Sequence, residues 1–98
     1  MNYNLISAYF ASRQSAAALE RAIQLIATAQ KSPDLWLRLG RLLFTHLYYN
    51  EALNAFRLAR EQAPADFEAR FYLALTHFLL NQSTDAIRVL SSPPLPSR

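Results

Sequence analysis

A shift of 34 residues lays one stretch of this 98-residue chain over another with the same residue type at most core positions. Leu39 falls on Leu73, Gly40 on Ala74, Phe44 on Phe78, Glu51 on Asp85, Ala52 on Ala86, Leu53 on Ile87 and Phe56 on Leu90. A fixed period of this length means one supersecondary unit per period, each unable to bury its apolar side by itself. The chain is therefore constrained to a short array of stacked units.

Within the first of these windows each unit reads as a pair of helices. Pro33 follows Ser32, so the pattern predicts a helix with proline at its first position and the Ser32 hydroxyl as its cap. Leu35, Trp36, Leu39, Leu42, Leu43 and Phe44 recur at spacings of three and four toward Leu47, the pattern of a helix with a wide buried face. Gly40 lies inside that helix, where glycine costs about 1 kcal/mol relative to alanine, so close packing of a second helix is expected there. Ala52 is the small residue expected to face it. The second helix is expected from about Asn50, with Ala52, Leu53, Phe56 and Ala59 on one stripe, and Pro64 stops it.

The second window departs from the first at a few places. Arg70 stands where the first has Trp36, His77 replaces Leu43, and Pro93 arrives early, which points to a truncated last unit. Asn81 suits a turn, and Ser83 or Thr84 can cap a short final helix ending near Ser91. Upstream, Ala22, Ile23, Ile26 and Ala29 match Ala52, Leu53, Phe56 and Ala59 at a shift of 30, which predicts a helix over about 15–31. Leu5, Ile6, Tyr9 and Phe10 share a helical face between about Tyr3 and Ser12.

Trp36, Leu39, Gly40, Ala52, Phe56, Ala59 and Pro64 together resemble the tetratricopeptide repeat pattern. The resemblance is strong over 33–64, clear over 67–92 and weak before that. It implies an all-α fold of about three repeats and about six helices, antiparallel hairpins stacked in a right-handed superhelix. One domain would span 1–92, divided into a diverged repeat 1–32, a clear repeat 33–66 and a truncated repeat 67–92, with an extended tail over 93–98. Its repeat core would be Trp36, Leu39, Gly40, Ala52, Phe56, Ala59, Leu73, Ala74, Ala86 and Leu90.

The same resemblance implies a concave groove lined by the first helix of each hairpin. Here those positions hold Asp34, Leu37, Arg41, Phe44 and Thr45, then Glu68, Phe71, Leu75, Phe78 and Leu79. Related modules that grip a C-terminal carboxylate use lysine and asparagine at such positions, and none stands there in this chain. The partner-binding residues are therefore read as Leu37, Arg41, Phe44, Phe71, Leu75, Phe78 and Leu79, an apolar surface suited to an amphipathic helix. In size and repeat number the chain also looks like the small chaperones of type III secretion, those of the needle subunit or of translocators. The function implied is a chaperone-like binder of a client helix, or else a structural or self-associating subunit that buries the same surface permanently.

Composition narrows the alternatives. Apolar residues make up 52 % and charged residues 17 %, a high apolar share for so small a domain, so some apolar surface is expected to stay open to a hetero-complex or homo-oligomer. Without cysteine there is neither a disulfide nor a thiolate metal site, and a cytoplasmic setting is the simplest. No basic stretch followed by a long apolar run opens the chain, and no 18-residue apolar segment occurs, so neither export nor membrane insertion is expected.

The net charge of +3 comes from arginines at helical surface spacing, among them Arg13, Arg21, Arg38, Arg57, Arg60 and Arg88. That is a solvated face and not the continuous basic stripe with stacking aromatics that nucleic acid requires. His46 and His77 lack a second ligand at metal spacing, and one glycine cannot build a phosphate loop. No metal, no cofactor and no enzymatic activity are expected. Trp36 reads as a core anchor. Leu47 stands before the second helix where the repeat pattern often has glycine, which predicts a distorted turn, with Tyr48 and Tyr49 available for packing or for an edge contact.

Overall fold

The computed structural model describes residues 2–80, and the helices there are α1 (Asn2–Ala11), α2 (Ser15–Thr28), α3 (Pro33–Thr45), α4 (Tyr49–Gln62) and α5 (Phe67–Leu79). No strand occurs among the described residues. The expected sixth helix, with Ala86 and Leu90, and the tail 93–98 lie outside them. The chain divides into two compact units, Met1–Lys31 and Ser32–Arg98. The first contains the α1–α2 hairpin. In the second, α3 packs along α4, α4 along α5, and α3 makes a smaller contact with α5.

The two hairpins are built on the same turn. Backbone N–H groups of Ser12, Arg13 and Gln14 donate to the carbonyls of Ala8 (3.0 Å), Phe10 (3.1 Å) and Tyr9 (2.8 Å). Those of His46, Leu47 and Tyr48 donate to Leu42 (3.2 Å), Phe44 (3.0 Å) and Leu43 (2.9 Å). Every donor and acceptor is displaced by 34 positions. The reversal of direction falls on Arg13 and Leu47, whose φ angles are 65° and 70°. This left-handed conformation favours glycine. Leu47 adopts the conformation that suits glycine and keeps the hydrogen bonds of the Arg13 turn, so the distortion expected there is not seen, and its side chain is left exposed.

This turn corrects the shift of 30 read for the first hairpin. At 34, the buried Ala18, Ala22 and Leu25 of α2 fall on Ala52, Phe56 and Ala59 of α4, all of them buried. The α2 helix also ends earlier than the expected residue 31. Ala29 turns into the left-handed region at φ 48°, and its N–H reaches back to the Ile26 carbonyl. That geometry closes a helix C-terminus.

In the second unit Trp36, Leu39, Leu43, Ala52, Ala55 and Phe56 are fully buried, and Ala59 nearly so. Each leucine or phenylalanine removed from water contributes roughly 1.5–3 kcal/mol. Gly40 is explained by Phe56: a Cβ added there would lie 2.5 Å from the Phe56 ring. The three atoms nearest that Cβ all belong to the Phe56 ring, a residue of α4 beyond the Ala52 expected to face Gly40.

Helix ends show one further correction. The Ser32 side chain makes no capping hydrogen bond to α3. Its backbone N–H donates instead to Gln62 Oε1 at 2.9 Å, tying the start of α3 to the last residue of α4. α4 stops at Gln62, ahead of Pro64, as the fixed proline φ requires. Asp66 caps α5, its Oδ1 accepting from the Glu68 N–H at 2.9 Å, which satisfies one of the orphan donors of the first turn.

Candidate functional site

α5 carries two unlike faces. Ala69, Leu73, Ala74, Thr76 and His77 are buried. The buried Thr76 hydroxyl donates to the Tyr72 carbonyl at 2.7 Å, so its polar group carries no penalty for leaving water. Phe67, Phe71, Phe78 and Leu79 are large, apolar and exposed, at 68 %, 43 %, 60 % and 42 % of their full accessibility. Leu75 between them is half-buried. Their spacing places them along one side of the helix.

That stripe is continuous with the interior through a run of aromatic rings. Phe67 and Phe71 lie nearly parallel with centroids 6.1 Å apart, and Phe71 meets Tyr72 edge-on at 5.6 Å. Tyr72 stacks on Phe56 at 5.2 Å and 15° and meets Phe44 edge-on at 6.1 Å. Phe44 in turn contacts Phe56 at 6.4 Å and Tyr49 at 5.2 Å. Offset-stacked and edge-to-face pairs at these distances each add about 0.5–1.5 kcal/mol beyond burial. The exposed Phe67 and Phe71 rings are thus tied to the interior and are not isolated on the surface.

Electrostatics at the site is sparse. Arg41 Nη1 on α3 lies 3.6 Å from Glu68 Oε2 on α5, with both side chains half exposed. Arg38 pairs with Asp34 one turn away at 3.1 Å. Pairs this exposed are worth at most about 1 kcal/mol. They leave the Phe71–Leu79 stretch of the stripe without a charge.

The residues read as a groove do not share one fate. Arg41 and Phe44 come together with Phe71 through their α5 partners Glu68 and Tyr72. Leu75, Phe78 and Leu79 continue the stripe along α5. Leu37, by contrast, is only 7 % exposed, so it is a buried residue and not an open groove position. Of the other expected lining residues, Asp34, Thr45 and Glu68 are exposed, and Thr45 donates its hydroxyl to the Arg41 carbonyl at 2.9 Å.

Phe67 and Tyr72 were not among the expected site residues. Phe67 could have been found, because it precedes Phe71 by four and so extends the stripe. Tyr72 falls on Arg38 at the repeat shift, so the repeat carries no sign of its bridging role. Among the described residues no cluster of three or more His, Asp or Glu side chains is placed to hold a metal. No helix there is long and apolar enough to cross a membrane.

No curated protein and no solved structure matches the chain. The family description "Tetratricopeptide repeat" matches residues 3–46 and again 49–93. These matches cover most of the sequence, and their boundary at 46–49 is the turn in which Leu47 takes its left-handed conformation. Two helical hairpins on one repeated turn, a glycine set against a phenylalanine ring, and this match make the chain a member of the tetratricopeptide repeat family, whose repeats mediate protein–protein interaction.

Proposed function

We propose that this protein is a chaperone-like binding module of the cytoplasm that holds an amphipathic helix of a client protein against the α5 stripe and the adjoining α3 residues Arg41 and Phe44. The observation that supports it is the exposure of Phe67, Phe71, Phe78 and Leu79 along one side of α5. An apolar surface of that kind on a short helical array suits helix-in-groove recognition, in which three or four apolar anchors each contribute roughly 1.5–3 kcal/mol. The loose resemblance of the sequence to small type III secretion chaperones makes a helix-bearing secretion subunit the client inferred.

A permanent role is the second reading: a structural subunit, or a self-associating scaffold, whose α5 stripe stays covered. It draws on the absence of charge between Phe71 and Leu79, which leaves nothing to oppose pairing with another apolar surface. The two readings differ in reversibility.

Light scattering of the purified chain, alone and after co-expression with the proteins encoded beside it, tests the proposal. A monomer that gains one small helical partner and exchanges it is the expected result. In that complex, Phe71→Glu with Phe78→Glu abolishes binding while circular dichroism stays unchanged. Loss of helicity together with binding would assign both rings to the core and sink the proposal.

A further inference from the structure

The geometry points to the α5 stripe as a seat for a partner's helix that docks as the first helix of a following repeat would. This rests on the protein-binding reading above and specifies the partner's chemistry. Thirty-four residues before Phe71 and Phe78 stand Leu37 and Phe44. Leu37 is buried, and Phe44 is half-buried beneath the Tyr72 ring at 6.1 Å. α5 is the first helix of the following repeat, and it meets Phe44 and Arg41 of α3 through Tyr72 and Glu68. The same positions on α5 are open, with Phe71 and Phe78 exposed at 43 % and 60 %. The α3–α5 interface, moved on by one repeat, thus defines what fits.

Its chemistry follows from the substitutions between the two levels. Glu68 of α5 meets Arg41 of α3. One repeat later the position of Arg41 is occupied by Leu75, so the docking helix must be uncharged where α5 has Glu68. A carboxylate pressed against Leu75 would lose water without gaining a partner. Four residues further along, where α5 has Tyr72, a large side chain is required to meet Phe78 as Tyr72 meets Phe44. The partner is therefore a hetero-protein helix with an apolar residue followed at i+4 by a large, preferably aromatic one.

A second copy of this chain is a poor occupant. Its first helix, α1, presents Asn4 and Ala8 at the positions where α5 has Tyr72 and Thr76. Neither fills the space over Phe78, so head-to-tail stacking of copies is not favoured.

Two fluorescent peptides test this on the full chain by anisotropy: residues 66–80 with lysines added at both ends, and the same peptide carrying Glu68→Leu. The Glu68→Leu peptide is expected to bind at least ten-fold tighter than the unchanged one. Phe71→Glu or Phe78→Glu in the chain should each weaken it ten-fold or more, with circular dichroism and sedimentation unaltered. A folded monomer that binds neither peptide overturns the seat. So does a wild-type dimer that Phe78→Glu dissociates and the peptide cannot, which would make α5 a self-pairing surface. Peptide binding that survives both α5 variants yet is lost in Arg41→Glu removes the seat and leaves the protein-binding reading standing.

Discussion

In the α1–α2 hairpin the large side chain at the central pair of repeat positions is Ile6 on the first helix, and the small one is Ala22 on the second. In α3–α4 the assignment is inverted, with Gly40 on the first helix and Phe56 on the second. All four are buried, and the turns that join the helices are superimposable in hydrogen-bond pattern. What the repeat preserves is the volume across the hairpin and not the residue at either position. Close-packed interiors demand this, since a gain on one side without a loss on the other creates overlap or a void.

The comparison breaks most visibly at Trp36. It is fully buried in the second unit, whereas the first hairpin has asparagine at the corresponding position. Trp36→Ala should cost about 3–5 kcal/mol and abolish the cooperative thermal transition of residues 32–80. A variant that melts within a few degrees of wild type would mean that the tryptophan does not anchor the second hairpin.

Exchanging the two patterns gives a sharper test at smaller cost. Phe56→Ala leaves a cavity and Gly40→Ile overfills the same place, so each alone should destabilise. The double variant, which copies Ile6 and Ala22, should recover about 1–3 kcal/mol relative to the sum of the single changes. Additive denaturation energies would show that the two positions do not share one volume.

The turns differ from each other least, and the expected effect there is smallest. Arg13 and Leu47 both hold positive φ, and Leu47→Gly should raise stability by about 1 kcal/mol by relieving that conformation. A rise of several degrees in Tm for Leu47→Gly, and a comparable one for Arg13→Gly, is the outcome to look for in a thermal scan. A fall for both would mean that the exposed Leu47 side chain contributes more than the backbone loses.

This inversion also explains how far the sequence could be read. Helices α3, α4 and α5 follow from the spacing of Trp36, Leu39, Phe56 and Leu73 and from the stop at Pro64, because apolar periodicity and proline act locally. The register of the first hairpin does not, because matching residue with residue fails where volumes have been exchanged. Four alanines and isoleucines then align better at the wrong shift. Leu47 stood out because the repeat pattern often has glycine there, but Arg13 gave no sign of positive φ, since the hairpin's hydrogen bonds impose it whatever residue is present. At the candidate site, Phe71, Phe78 and Leu79 were legible as an apolar stripe. Leu37 looked equivalent to them at the repeat shift, and its burial depends on packing that a residue pattern does not record.

Tyr72 has a consequence for how the protein is made. Its ring stacks on Phe56 and meets Phe44, although both belong to a hairpin that ends ten residues earlier. As the chain leaves the ribosome, α3 and α4 can pair while one side of Phe44 and Phe56 still faces water, and only the arrival of residue 72 covers it. For the interval of synthesis between Gln62 and Tyr72 the nascent hairpin carries an aromatic patch that the finished protein does not have, and during that interval it would be a substrate for chaperones.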